Sequence, residues 1–277
     1  MKSLAGKKIF LTGAAGGLGR EFTRQLLLEG SLLVLTDIDE ARLKKIAEGI
    51  AASLLNVPGR VIGVFGADLS SAEGCEDAYQ KCKKTAPELD VLINNAGVLA
   101  FGDFQDVPEG KWEQVIKVNL LGPMRLSYKF LPDMLKRKQG HIVNISSIAG
   151  ITGTTQSASY SASKFGLRGF GMSLSGEVSE KGVDVTNIYP LWTDTEILKT
   201  RVYGKTKMES VKSIFLCRPE DVVRAAIKGI RKKKLHVYPG FFAKMINLGA
   251  KFTPIVGSQR RSILSWAAPG EGVKGRC

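Results

Sequence analysis

A glycine-rich turn wedged between an apolar run and a helical pattern constrains this chain more than any other feature. Lys8-Ile9-Phe10-Leu11 reads as a short buried strand and leads straight into Thr12-Gly13-Ala14-Ala15-Gly16-Gly17-Leu18-Gly19, after which Phe22, Leu26 and Leu27 keep helical spacing. Strand, glycine turn and helix in that order bring a helix N-terminus, with its unpaired N–H groups, to a place where a pyrophosphate can sit. Glycines at these positions allow the tight turn and let the backbone approach the phosphates. A second strand, Ser31–Thr36, ends at Asp37, about twenty residues after the turn, where a carboxylate accepts hydrogen bonds from both ribose hydroxyls and repels a 2′-phosphate. No Lys or Arg stands in the turn or at positions 36–38. The expected cofactor is therefore NAD(H), with NADP(H) disfavoured; the bland alternative makes Asp37 a strand-end turn residue.

The rest of the chain repeats the scheme. A helix from Ile38 to about Leu55 precedes the strand Val61–Phe65, with Asp68-Leu69 just after it. A helix over Ser71–Thr85 leads to the strand Val91–Ile93 and to Asn94-Asn95-Ala96-Gly97. Trp112–Leu135 reads as one long helix carrying Asn119, followed by strand 142–145, a loop over 148–157, another helix and the strand Asp184–Ile188. Strands alternating with helices predict a parallel, doubly wound α/β sheet of Rossmann type in a single domain, residues 1–238. Residues 239–277 form a basic amphipathic C-terminal extension. Four cysteines without CxxC spacing or a His partner predict reduced thiols and no metal site. The start of the chain has no cleavable-signal pattern, and no stretch reaches the ~18 apolar residues of a membrane-spanning helix. A cytoplasmic protein is expected.

One further constellation carries chemistry. Tyr160 and Lys164 lie four residues apart, on one helical face, and Ser147 stands at the end of the apolar run His141–Ile145. Alone, such a Tyr–Lys pair is ordinary surface. Beside a strand-end hydroxyl and a nucleotide turn it reads differently: an ammonium next to a phenol favours the phenolate and lowers a pKa normally near ~10 towards the range useful for proton transfer.

Together these residues resemble the short-chain dehydrogenases/reductases over roughly residues 5–225. Thr12-Gly13-xxx-Gly17-x-Gly19 matches the cofactor turn, Asn94-Asn95-Ala96-Gly97 the segment that steadies the sheet, and Asn119, Ser147, Tyr160 and Lys164 the catalytic tetrad. The resemblance implies Tyr160 as general acid/base and Ser147 as hydrogen-bond donor to the substrate oxygen. Lys164 would tune the phenol and bind the nicotinamide ribose, and Asn119 would hold a relay water by kinking its helix. It also implies cofactor contacts from Gly13, Gly17, Leu18, Gly19, Asp37, Asp68, Leu69, Asn95, Tyr160, Lys164, Thr193 and Thr195. A homodimer or homotetramer, paired through the helices of Asn119 and Tyr160, is expected by analogy. One departure stands out: the residue after Tyr189-Pro190 is Leu191 where the family usually has glycine. The turn there must be of another type, and Leu191 with Trp192 either greases the substrate pocket or is a local variant.

The net charge of +14 is unevenly held. Residues 1–198 carry 22 basic and 22 acidic side chains; residues 199–277 carry 18 against 4. Tyr203, Met208, Ile214 and Phe215 are candidates for an apolar substrate cover. Beyond Pro239-Gly240, Phe241, Phe242, Met245, Ile246, Leu248 and Phe252 oppose Lys244, Asn247 and Lys251, with Arg260, Arg261 and Trp266 to follow. This pattern suits docking on an anionic membrane surface through residues 239–266, or else packing on the sheet or a partner subunit. A neutral body without a recognition module argues against nucleic acid. The expected function is hydride transfer between NAD(H) and an apolar secondary alcohol or ketone of steroid, retinoid or lipid type. The alternatives are the same chemistry on a polar sugar or short acyl ketone, or a non-catalytic nucleotide-binding scaffold.

Overall fold

The apolar runs become strands: β1 (Lys8–Thr12), β2 (Leu32–Asp37), β3 (Arg60–Gly66), β4 (Val91–Asn94), the two-residue β5 (Phe101–Gly102), β6 (Gly140–Ile145), β7 (Val183–Ile188), β8 (Val202–Tyr203) and β9 (His236–Val237). Seven of them form one sheet in the order β3-β2-β1-β4-β6-β7-β9, every neighbouring pair parallel. The structure, a computed structural model, describes residues 3–54, 56–205 and 216–252.

Alternation along β1 distributes the core. Ile9 and Leu11 face α1 (Gly17–Leu28), α2 (Glu40–Ser53) and α7 (Pro219–Arg231) through Phe22, Leu26, Leu43, Val223 and Ile230. Phe10 faces the other way, towards α3 (Ala72–Thr85), α5 (Gly122–Arg137) and α6 (Ala158–Val178), among Ala78, Leu126, Phe130 and Leu174. Both faces being covered, the strands are near-continuously apolar, and each fully buried Leu, Ile or Phe contributes about 1.5–3 kcal/mol. The doubly wound fold expected from the alternation is the one observed. Chain order reverses on either side of β1, so the crevice lies beyond the carboxyl ends of β1 and β4.

Three local features differ from the sequence expectation. The long helix is α4 (Glu109–Ile116) and α5 joined by a π turn, Lys117–Leu121. Pro123 has no N–H to give the carbonyl of Asn119, so a regular α-helix cannot continue there. The segments holding β5 and β8 pair into a second, two-stranded parallel sheet. Cys75 and Cys82 are free and buried, whereas Cys217 is disulfide-bonded, so four reduced thiols is not the observed state. Helix α8 (Gly240–Phe252) packs Phe242, Ala243 and Ile246 against Tyr189, Leu191, Trp192 and Tyr238 and leaves Phe241, Met245 and Leu248 exposed. Met208, Ile214, Phe215, Arg260, Arg261 and Trp266 lie outside the described residues.

Candidate active site

A cavity of about 570 Å³ opens at the crevice beyond β1 and β4. Gly13, Gly17, Leu18, Gly19, Asp37, Asp68, Leu69, Asn95, Ser147, Tyr160, Lys164, Thr193 and Thr195 all line it; of the catalytic tetrad and the cofactor contacts that the resemblance implies, Asn119 alone does not.

The glycine turn is held from below. Thr12 Oγ1 accepts the N–H groups of Asn95 and Ala96, each at 3.0 Å, and Asn95 Nδ2 donates to the carbonyls of Thr12 (2.9 Å) and Gly13 (3.0 Å). Gly13 has φ +64°, and a Cβ there would come within 2.7 Å of Ala96 Cα; only glycine meets both demands. A Cβ on Gly17 would lie 2.6 Å from Thr195 Cγ2, so the segment after β7 closes directly on the turn. Asp37, ending β2, accepts the N–H of Ala15 and of Ile38, each at 2.9 Å, which ties the end of β2 to the glycine turn. Asn94 of the same segment belongs to a buried amide ladder: its Nδ2 donates to Asn144 Oδ1 (3.0 Å), whose Nδ2 donates to Asn187 Oδ1 (3.1 Å), across β4, β6 and β7.

At the other end, β6 delivers Ser147 and α6 delivers Tyr160 and Lys164. Ser147 Oγ accepts the N–H of Ala149 at 3.1 Å and shares a hydrogen bond with the Tyr160 phenol. Lys164 Nζ donates to the carbonyl of Ile145 at 2.8 Å and stands 5.5 Å from the Tyr160 ring centroid. Burial pushes the Tyr160 phenol up to about 12, opposed by a hydrogen bond with Ser147, and pushes the Lys164 ammonium down to about 8. The expected lowering of the phenol by Lys164 is not among the effects seen on it: desolvation dominates both groups, and the ammonium is directed to a carbonyl.

Asn119 is completely buried. Its Oδ1 accepts the Val98 N–H at 2.8 Å, and its Nδ2 donates to the Val98 carbonyl at 2.9 Å and to Ser163 Oγ at 3.2 Å. It fastens the segment after β4 to α6 from beneath the cavity wall. Leu191 is buried, has no positive φ, and both lines the cavity and joins the cluster under α8. Val98, Leu99, Phe101, Trp192, Leu198 and Tyr203 complete an apolar wall, so β5 and β8, unforeseen in the sequence, form its outer edge. Arg42 also lines the cavity, at the Asp37 end. It lies just outside the 36–38 window in which a cation was sought; the first turn of α2 was where to look.

Fold and site together are those of a nicotinamide-dependent oxidoreductase scaffold. The family description short chain dehydrogenase matches residues 7–205, and the chain belongs to that family. It is 31% identical to a 3-oxoacyl-(acyl-carrier-protein) reductase, FabG, of Aquifex aeolicus, over 86% of this chain and 98% of that one. It is 30% identical to epidermal retinol dehydrogenase 2 of Homo sapiens, over 86% and 75% respectively. A metagenomic short-chain oxidoreductase solved in complex with NADP superposes with a TM-score of 0.67 at 28% identity, covering 84% of this chain and 96% of the other.

Proposed function

We propose that the protein interconverts an apolar secondary alcohol and its ketone with NAD(H), Tyr160 acting as general acid/base. The observation that carries this reading is that one cavity holds Ser147, Tyr160 and Lys164 at one end and the glycine turn with Asp37 at the other. The dinucleotide, when bound, supplies or accepts the hydride. The chain's residues do the rest. The turn Gly13–Gly19, with Leu18, receives the pyrophosphate on the α1 N-terminus; Asp37 receives the ribose hydroxyls, Asp68 and Leu69 border the adenine, and Asn95 and Lys164 hold the second ribose. Thr193 and Thr195 meet the carboxamide. Ser147 donates its hydroxyl proton to the substrate oxygen, stabilising charge that develops there, and Tyr160 gives or takes the proton at that oxygen. Asn119 acts through the segment it pins and, by resemblance, through a relay water.

The apolar wall of Leu99, Phe101, Leu191, Trp192 and Tyr203 supports a lipid-like substrate, and the retinol dehydrogenase relative is consistent with one. A short acyl ketone is the second reading, favoured by the FabG relative. Replacing Tyr160 with Phe is the test: turnover is expected to fall by ~10³ with NADH binding kept, since a positioned proton donor contributes 10²–10⁴-fold. Turnover that survives would remove Tyr160 from the role.

Two finer readings accompany this one. Helices α5 and α6 expose Met124, Tyr128, Phe165 and Met172, with Tyr128 80% exposed, which supports pairing of two copies through these helices. Helix α8, starting the extension assigned to residues 239–277, exposes Phe241, Met245 and Leu248 beside exposed Lys244, which supports docking on an anionic lipid surface.

A further inference from the structure

Glu196 opens the short turn that follows Thr195, on the segment that closes over the glycine turn. Its two carboxylate oxygens reach two different helices: Oε1 lies 3.0 Å from Arg20 Nη2 of α1, and Oε2 lies 2.5 Å from Arg42 Nη2 of α2. Arg20 is itself anchored, its Nε donating to the Ala15 carbonyl at 2.7 Å. Arg42 stands in the first turn of α2, where it also feels Asp37 and Asp39. Asp37, Ile38, Arg42 and Glu196 all line the cavity. The three partners come from three separate elements, so this triad spans the crevice rather than decorating one helix.

We propose that Glu196 is a selectivity residue of the dinucleotide site: by occupying Arg42 it withholds the one cavity-lining cation, among the described residues, that stands beside Asp37 to receive a ribose 2′-phosphate. This rests on the dinucleotide reading above. A nucleotide with that phosphate adds about two negative charges at neutral pH next to two carboxylates, Asp37 and Glu196. Arg42 presents a planar fork suited to a phosphate, but its Nη2 is already engaged by the Glu196 carboxylate. Removing the charge of Glu196 both frees Arg42 and lifts one repulsion, whereas a nucleotide carrying only hydroxyls at that ribose gains little from either change. Selectivity would then depend on a residue of the substrate-side segment as well as on Asp37.

The test is fluorescence titration of NADH and NADPH on the full chain and on Glu196→Gln, Arg42→Gln and the double variant, all substitutions at exposed positions. The expected result is NADPH binding about tenfold tighter in Glu196→Gln, with NADH within about twofold, the gain shrinking as salt is raised. The double variant should lose that gain. Equal changes for both nucleotides in Glu196→Gln would mean the ion pairs only hold the segment closed, and a gain that persists without Arg42 would assign it elsewhere; either result overturns the proposal. The wild-type preference between the two nucleotides reads Asp37 separately, and wild-type protein binding neither would refute the dinucleotide reading and this inference with it.

Discussion

Lys164 bears the heaviest electrostatic cost at the scale of single residues. Its side chain is buried in α6 with the Ile145 carbonyl as its hydrogen-bond partner, and burial brings it from an ordinary 10.5 down to about 8. Between those values the unfolded chain binds a proton that the folded chain does not, so wild-type stability rises as pH climbs from about 8 towards 10.5 and the full penalty is present below 8. The size is about 3 kcal/mol at 1.36 kcal/mol per pH unit. Lys164→Met removes the ionisable group and with it that slope. Relative to wild type, the variant is expected to be about 3 kcal/mol better off at about pH 7 than at about pH 10, read from denaturant midpoints at each pH. Parallel stability–pH profiles would contradict this. The spacing of Tyr160 and Lys164 was legible in the sequence because helical periodicity fixes a shared face. Their protonation was not, since desolvation depends on what the fold stacks around them.

At the scale of elements, the strand–turn–helix that opens the chain was readable almost to the residue, since glycine spacing and strand ends are local properties. Gly13 shows why: its left-handed backbone and its contact with Ala96 Cα exclude a side chain. Gly13→Ala is expected to destabilise by about 1–3 kcal/mol and to weaken NADH binding. Gly49→Ala is the control. Gly49 lies inside α2 with nothing within 4 Å of its missing Cβ, and there alanine should stabilise by about 0.5–1 kcal/mol. Urea unfolding of both variants reads the contrast; a Gly13→Ala variant as stable as wild type would contradict it. What the sequence hid were features made by non-local partners. The sequence pattern over Trp112–Leu135 reads as one helix, a kink at Asn119 coming only from the family resemblance although Pro123 carried the signal, and β5 and β8 are too short to show any period. Arg42, by contrast, is local to Asp37, in the first turn of the helix that follows β2 directly.

The whole molecule divides by charge: residues 1–198 are neutral, and residues 199–277 supply the entire +14. No helix among the described residues is long and apolar enough to cross a membrane, but the outer face of α8 joins Phe241, Met245 and Leu248 to Lys244 while its inner face packs under Leu191 and Trp192 of the cavity wall. If that face meets lipid, Met245→Glu with Leu248→Glu is expected to cut co-flotation with vesicles containing phosphatidylserine several-fold without lowering NADH affinity; equal flotation of variant and wild type would refute lipid docking. A single comparison tests most directly whether the cavity is one working site. NADH binding and the first turnover on an apolar ketone are followed by cofactor fluorescence in wild type and in Tyr160→Phe. The expected result is similar NADH affinity in both, with hydride transfer slowed by ~10³ in the variant. Undiminished transfer in Tyr160→Phe, or no NADH binding by the wild type, would contradict the central claim.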